Sequence, residues 1–215
     1  MQLPFTEMQF LEVFSGYNAM FWWVAILLWL ATSFLLIQLI RHHGNSLALT
    51  VLAAVHWLWS GIVYHAVFFT AINPAAWLFA LLFVSEGLAF LWFGAVQRQL
   101  TFRFEMSLRA IVGLIFLIYS LSYPALVLWA GFRFPLAPGF AVPCPTTIFT
   151  VGLLLTAVRP VPGWLIVMPV IWSVIGGSAA LSLGMTPDLA LFVGGVSLLV
   201  DWASPHAFRL ATALR

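Results

Sequence analysis

The groups in this sequence able to do chemistry in an apolar setting are one thiol, two histidines and a carboxylate, all inside or beside hydrophobic runs. Cys144 is the single cysteine, held between Pro143 and Pro145 in "PGFAVPCPTTIFTVG". His56 and His65 fall in one apolar run and Glu86 in the next. Ionisable side chains at membrane depth are costly, so each is a candidate for function. Proline suits the first position of a helix. Pro145 is therefore expected to open a helix with Cys144 at its cap, where the helix N-terminus favours a reactive thiolate. The bland alternative is a proline-rich loop closed by a small apolar thiol, with Thr146 and Thr147 supplying local caps.

Geometry separates the histidines. Nine residues apart on a helix, they point to opposite faces and sit about 13 Å apart along the axis, so they cannot share one ion or haem. The turn "INPAAW" makes the helices on either side antiparallel neighbours. Counting equally from that turn sets Glu86 opposite Gly61, with His65 one turn nearer the turn on the same face. A buried Glu86–His65 pair is expected, with Tyr64 and Ser85 adjacent and Asn73 in the turn. It would serve either as a proton or cation site or as a structural hydrogen bond between helices. His56, beside Trp57 and Trp59, is expected to be satisfied by a partner. Asp201 is expected to pair with an arginine at the same interface, for instance Arg209, and His42, His43 and His206 to be solvated. One soft ligand is no metal site; Cys144 with His65 would make a soft-metal site conceivable only if the two are close.

The chain has 215 residues, 64% apolar and 7% charged, with a mean hydropathy of +1.10. Soluble domains carry roughly a quarter charged residues, so an integral membrane protein is implied. Net charge is only +2, which gives no basis for nucleic-acid binding, and a lone cysteine excludes an internal disulfide framework. The N-terminal stretch has Glu7 and Glu12 but no basic residue, unlike a cleaved secretory signal. "PFTEMQF" reads as a helix start, with Thr6 and Gln9 as a capping box and Phe5 and Phe10 as a hydrophobic staple. Residues 6–16 are expected to form an amphipathic interfacial helix ending near Gly16, or else the first turns of a longer helix.

Seven apolar runs follow, at about 19–40, 47–72, 75–97, 110–131, 145–158, 164–183 and 189–204. The expected architecture is a single all-α domain, 1–215: a seven-transmembrane-helix bundle. The fifth run is short for the ~30 Å hydrocarbon, so part of "FRFPLAPGFAVPC" is expected to sink into the membrane, buried in protein or lining a cavity. With the N-terminus outside, Arg41, Arg98, Arg103, Arg109, Arg159, Arg209 and Arg215 fall inside and only Arg133 outside. If the fifth run merely dipped in and returned, the split would be four to four, so it is expected to cross. Seven spans suggest a retinal protein, but with no lysine there is no Schiff base. Gly177, Gly184, Gly194 and Gly195 are expected at close helix contacts, within the chain, in a homo-oligomer or against a larger complex.

The blocks "LPFT…QFLEVFSGYN", "WLWSGIVYHAVFF…INPAAWLF", "PCPTTIFTVGLLL" and "IWSVIGGSAA" resemble a family of uncharacterised bacterial multi-pass membrane proteins carrying a domain of unknown function. The resemblance implies a bacterial inner-membrane location and no activity; its blocks contain His65, Asn73 and Cys144 but not Glu86. The function expected is a small transporter or ligand-binding membrane protein with an outward-facing site of Cys144, His65, Glu86, Tyr64 and Asn73. The alternative is a non-catalytic accessory or assembly subunit that binds partner proteins, lipids or pigments. An enzyme with Cys144 as nucleophile is not expected, since no base is evident near the thiol and there is no hydrophilic catalytic domain.

Overall fold

In a computed structural model, which describes residues 4–158 and 160–204, the chain is helical. The helices are α1 (Glu7–Ile40), α2 (Ser46–Ala71), α3 (Ala76–Val96), α4 (Leu108–Trp129), α5 (Pro143–Thr156), α6 (Trp164–Leu183) and α7 (Thr186–Ala203). Six of them are long and apolar enough to cross a membrane; α5, at 14 residues, is the exception. Arg159, His206, Arg209 and Arg215 lie outside the described residues.

The caps follow from the residues at the helix starts. Thr6 Oγ1 accepts from Gln9 N at 3.2 Å while Gln9 Oε1 accepts from Thr6 N at 2.8 Å, and the Phe5 and Phe10 rings stack 5.9 Å apart. Asn45 and Ser107 cap α2 and α4 in the same way, each accepting from the backbone N–H three residues on. The helix that starts at Glu7 does not end near Gly16. It continues to Ile40, and its only non-helical backbone is at Phe21. Gly16 has room beside the Phe68 ring and makes no break. Tyr17 and Asn18, one turn before the kink, are instead tied to the loop ahead of α5. The Tyr17 hydroxyl donates to Ala141 O at 2.8 Å, and Asn18 Nδ2 donates to Pro135 O and Ala137 O.

The short helix is the innermost one. Every residue of α5 is buried except Cys144, which is half-buried. It packs mainly on α4 and α7, with α2 and α6 on its other sides. Its approach to α4 is backbone on backbone: a Cβ on Gly152 would lie 2.8 Å from Gly113 O and 2.7 Å from Leu117 Cγ. At about 1.5 Å per residue, α5 spans roughly 21 Å, and loops cover both ends. The loop after α3 reaches its C-terminal end, burying Leu100, Phe102 and Phe104. There Arg103 N donates to Thr156 O and Val158 N to Thr101 O. Arg109 completes this end, its guanidinium donating to Leu154 O and Ala157 O while Nε pairs with Asp201 at 2.8 Å. Asp201 thus meets an arginine at this end, Arg109. At the other end, Ala137 and Phe140 to Val142 are buried.

The helix opens earlier than expected. Val142 is its N-cap and Pro143 its first residue, so Cys144 is the second helical residue rather than the cap. Three of the four conspicuous glycines are used inside the chain. A Cβ on Gly177 would strike the Phe192 ring at 2.8 Å, one on Gly195 would strike Ser173 Cβ at 2.8 Å, and Gly194 faces Val151 of α5. Gly184 ends α6 in the left-handed conformation, φ 67°. These contacts join α6, α7 and α5, so an oligomer surface does not follow from these glycines.

Because the α4–α5 contact tolerates no side chain, Gly152→Ala is expected to lower stability by about 1–3 kcal/mol through overpacking. Gly163→Ala, whose Cβ would meet nothing nearer than Trp202 Nε1 at 3.9 Å, is the neutral control. Thermal melting of the two variants in detergent checks this; equal midpoints would contradict the packing described.

Candidate functional site

Around the N-terminus of α5 lies a cavity of about 400 Å³. Three elements build most of its wall. α2 changes from α to π geometry at Ser60–Phe68, a wider i→i+5 turn that recurs at functional sites. This stretch brings two consecutive residues, Tyr64 and His65, to the cavity, and Asn73 follows in the turn. Asn73 Oδ1 also accepts from Ala75 N at 3.1 Å, so this residue shapes the turn as well. From α5 comes Cys144, and from α6 comes Trp172. Phe5, just ahead of α1, and Phe10 and Phe14 in its first turns close the aromatic side; Phe14 stacks on Tyr64 with ring centroids 5.3 Å apart.

Of the residues expected at a site, Cys144, His65, Tyr64 and Asn73 therefore line one cavity. Glu86 does not join them. It is fully buried, but neither carboxylate oxygen has a hydrogen-bond partner, and both ring nitrogens of His65 are equally unpartnered. The expected Glu86–His65 pair is absent because the register between α2 and α3 is shifted. Gly61 faces Ala80, Phe83 and Val84, and Gly87, next to Glu86, faces Ala54 and Leu58. Each π turn takes an additional residue for a similar advance, so equal counting from the turn overshoots along α3. His65 instead packs among rings, 4.8 Å from Phe83 and 5.1 Å, edge-on, from Trp172. His56 is elsewhere, its Nε2 3.0 Å from Thr32 Oγ1. Ser85 bonds back to Leu81 O on its own helix.

The cavity also holds polar groups that the sequence did not single out. Asp188, in the turn that opens α7, reaches the wall, and its Oδ1 accepts from the Tyr123 hydroxyl at 2.5 Å. Tyr119, one turn earlier on α4, donates to Pro187 O at 2.7 Å, so two tyrosines grip this turn. The Cys144 thiol lies beside both the Asp188 carboxylate and the Trp172 side chain. Trp172 Nε1 nonetheless has no hydrogen-bond partner. Nothing in the local sequence sets Asp188 apart from other loop acids, or Tyr123 and Trp172 from the many other aromatics. The only signals, both weak, are the Tyr119/Tyr123 spacing of one helical turn and the proline beside Asp188. Among the described residues no three His, Cys, Asp or Glu side chains converge as a metal site would require.

A family model, "Family of unknown function (DUF6064)", matches residues 7–209. The chain belongs to the DUF6064 family. The match takes in all seven helices and every polar side chain of the cavity. No curated protein and no solved structure matches the chain, so the DUF6064 assignment carries no activity with it.

The grip of α4 on the Asp188 turn predicts the effect of losing it. Tyr123→Phe removes the hydroxyl donor of a buried carboxylate and is expected to cost about 1–3 kcal/mol. Hydrogen exchange over 184–190 should rise in the variant. Unchanged exchange together with an unchanged melting midpoint would contradict this role.

Proposed function

We propose that this protein crosses a bacterial inner membrane seven times, with its N-terminus outside, and binds a small molecule entering the α5 cavity from the outer side, as a small transporter or ligand-binding protein. The observation that carries the reading is the gathering of Cys144, His65, Tyr64 and Asn73, from separate elements, around one largely apolar cavity. Ligand pockets are commonly of this kind: mostly hydrophobic and aromatic, a few hundred Å³ in volume, with a small number of polar groups. The groups left unpartnered at the wall, His65 and Trp172 Nε1, are what a ligand would satisfy.

Orientation rests on arginine. The cavity lies at the end of the bundle where α1, α3, α5 and α7 begin, whereas Arg41, Arg98 and Arg103 follow α1 and α3 and Arg109 opens α4 at the other end. A cytoplasmic excess of arginine is the general pattern, and it supports an outward-facing cavity end. In this reading α5 is the fifth crossing despite its length, because loops buried in protein extend the path at both of its ends.

The single cysteine makes the test unambiguous. A membrane-impermeant maleimide added to intact spheroplasts is expected to modify Cys144, and to do so faster than in inverted membrane vesicles. Faster modification in inverted vesicles would reverse the orientation, and a thiol inert in both preparations would remove the accessible cavity on which the reading depends.

A further inference from the structure

We propose that the ligand of this cavity is a protonated amine carrying an apolar body, with Asp188 as its counter-ion. This inference rests on the binding reading above and gives it a chemical class. Asp188 is the only formally charged side chain on the wall among the described residues. Its neighbours, the Tyr123 hydroxyl and the Cys144 thiol, are neutral donors that solvate a carboxylate without balancing its charge. Both ion pairs among the described residues, Arg103–Glu105 and Arg109–Asp201, lie at the opposite end of the bundle. A buried carboxylate without a cation is costly, and a cationic ligand removes that cost.

Two further features point the same way. The wall is rich in aromatic faces, among them Phe10, Phe14, Tyr64, Phe69 and Trp172, and ring faces attract cations. His65 is fully buried at the wall with neither ring nitrogen bonded, so one of them offers a lone pair to an ammonium N–H. The polar groups are contiguous: His65 packs on Trp172, Trp172 faces Cys144, and Cys144 faces Asp188. An anionic ligand would meet the carboxylate and find no arginine on the wall. A neutral apolar one would leave Asp188 unbalanced and His65 unbonded. Glu86 is equally unpartnered but does not line this cavity, so no ligand follows from it.

The test uses the full chain purified in lipid nanodiscs and three probes of matched shape: 2-phenylethylamine, 2-phenylethanol and 3-phenylpropionate. Calorimetry ranks their affinities, and protection of Cys144 from maleimide reports binding at the cavity. The amine is expected to bind at least about tenfold more tightly than the alcohol, with the carboxylate weakest. Asp188→Asn should bring amine and alcohol to parity while leaving the alcohol unchanged. If that variant fails to fold, the ranking on the wild-type protein still decides. Alcohol or carboxylate binding as tightly as the amine, with Cys144 protected, would overturn the amine assignment and leave the binding reading standing. No binding by any probe, with Cys144 still freely modified, would overturn both.

Discussion

The structure depends on burying α5 on every side although it is too short to cross a bilayer alone. A helix enclosed by other helices needs no amphipathic face, and α5 has none: its threonines bond to its own backbone or to neighbours. Thr147 and Thr150 donate to the carbonyls four residues back, Trp57 Nε1 donates to Thr150 Oγ1 at 2.8 Å, and Ser60 bonds Thr146 at 3.2 Å. Enclosure also requires close approach, which glycines permit at Gly113, Gly152 and Gly194. What a short helix cannot do is satisfy the polar backbone beyond its ends. Arg109 and the loop after α3 do this at one end, and Tyr17 and Asn18 do it for the loop at the other.

The cavity follows from the same constraint. Where α5 stops short, its neighbours α2, α4 and α6 continue, and the space beyond its first turn is only partly filled by the loop that leads into it. The kinked start of α1 lies over the remainder, through contacts of Phe5, Phe10 and Phe14 with Phe69 and Tyr64. The Asp188 turn, held by Tyr119 and Tyr123, completes the wall. Cys144 is thus the one residue of α5 that is not fully buried because it faces the space its helix leaves.

Much of this was legible in the residues. The capping box at Thr6, the apolar runs, the burial of the second half of the loop before α5 and an Asp201–arginine contact are all consequences of local chemistry and length. Cys144 and His65 were legible as candidates because polar groups in apolar runs are rare. The separation of Glu86 from His65 was not, because the pattern of apolar residues does not distinguish an α turn from a π turn, and the register between α2 and α3 depends on that difference. Phe21 illustrates a second gap. The kink there has no glycine or proline to announce it, while Gly16, which has a glycine's freedom, stays helical. Asp188 shows the third: a loop acid reads as solvated until long-range packing by Tyr119 and Tyr123 turns it inward.

The enclosure of α5 is tested most directly by a membrane-soluble carbene precursor, photolysed in the native membrane and mapped by peptide mass spectrometry. The exposed side chains of α1 from Trp22 to Ile37, together with Leu181 and Val193, should carry adducts, and residues 146–156 should carry none. Labelling of 146–156 to the same extent as α1 would place α5 against lipid and contradict both the fold and the cavity built at its end.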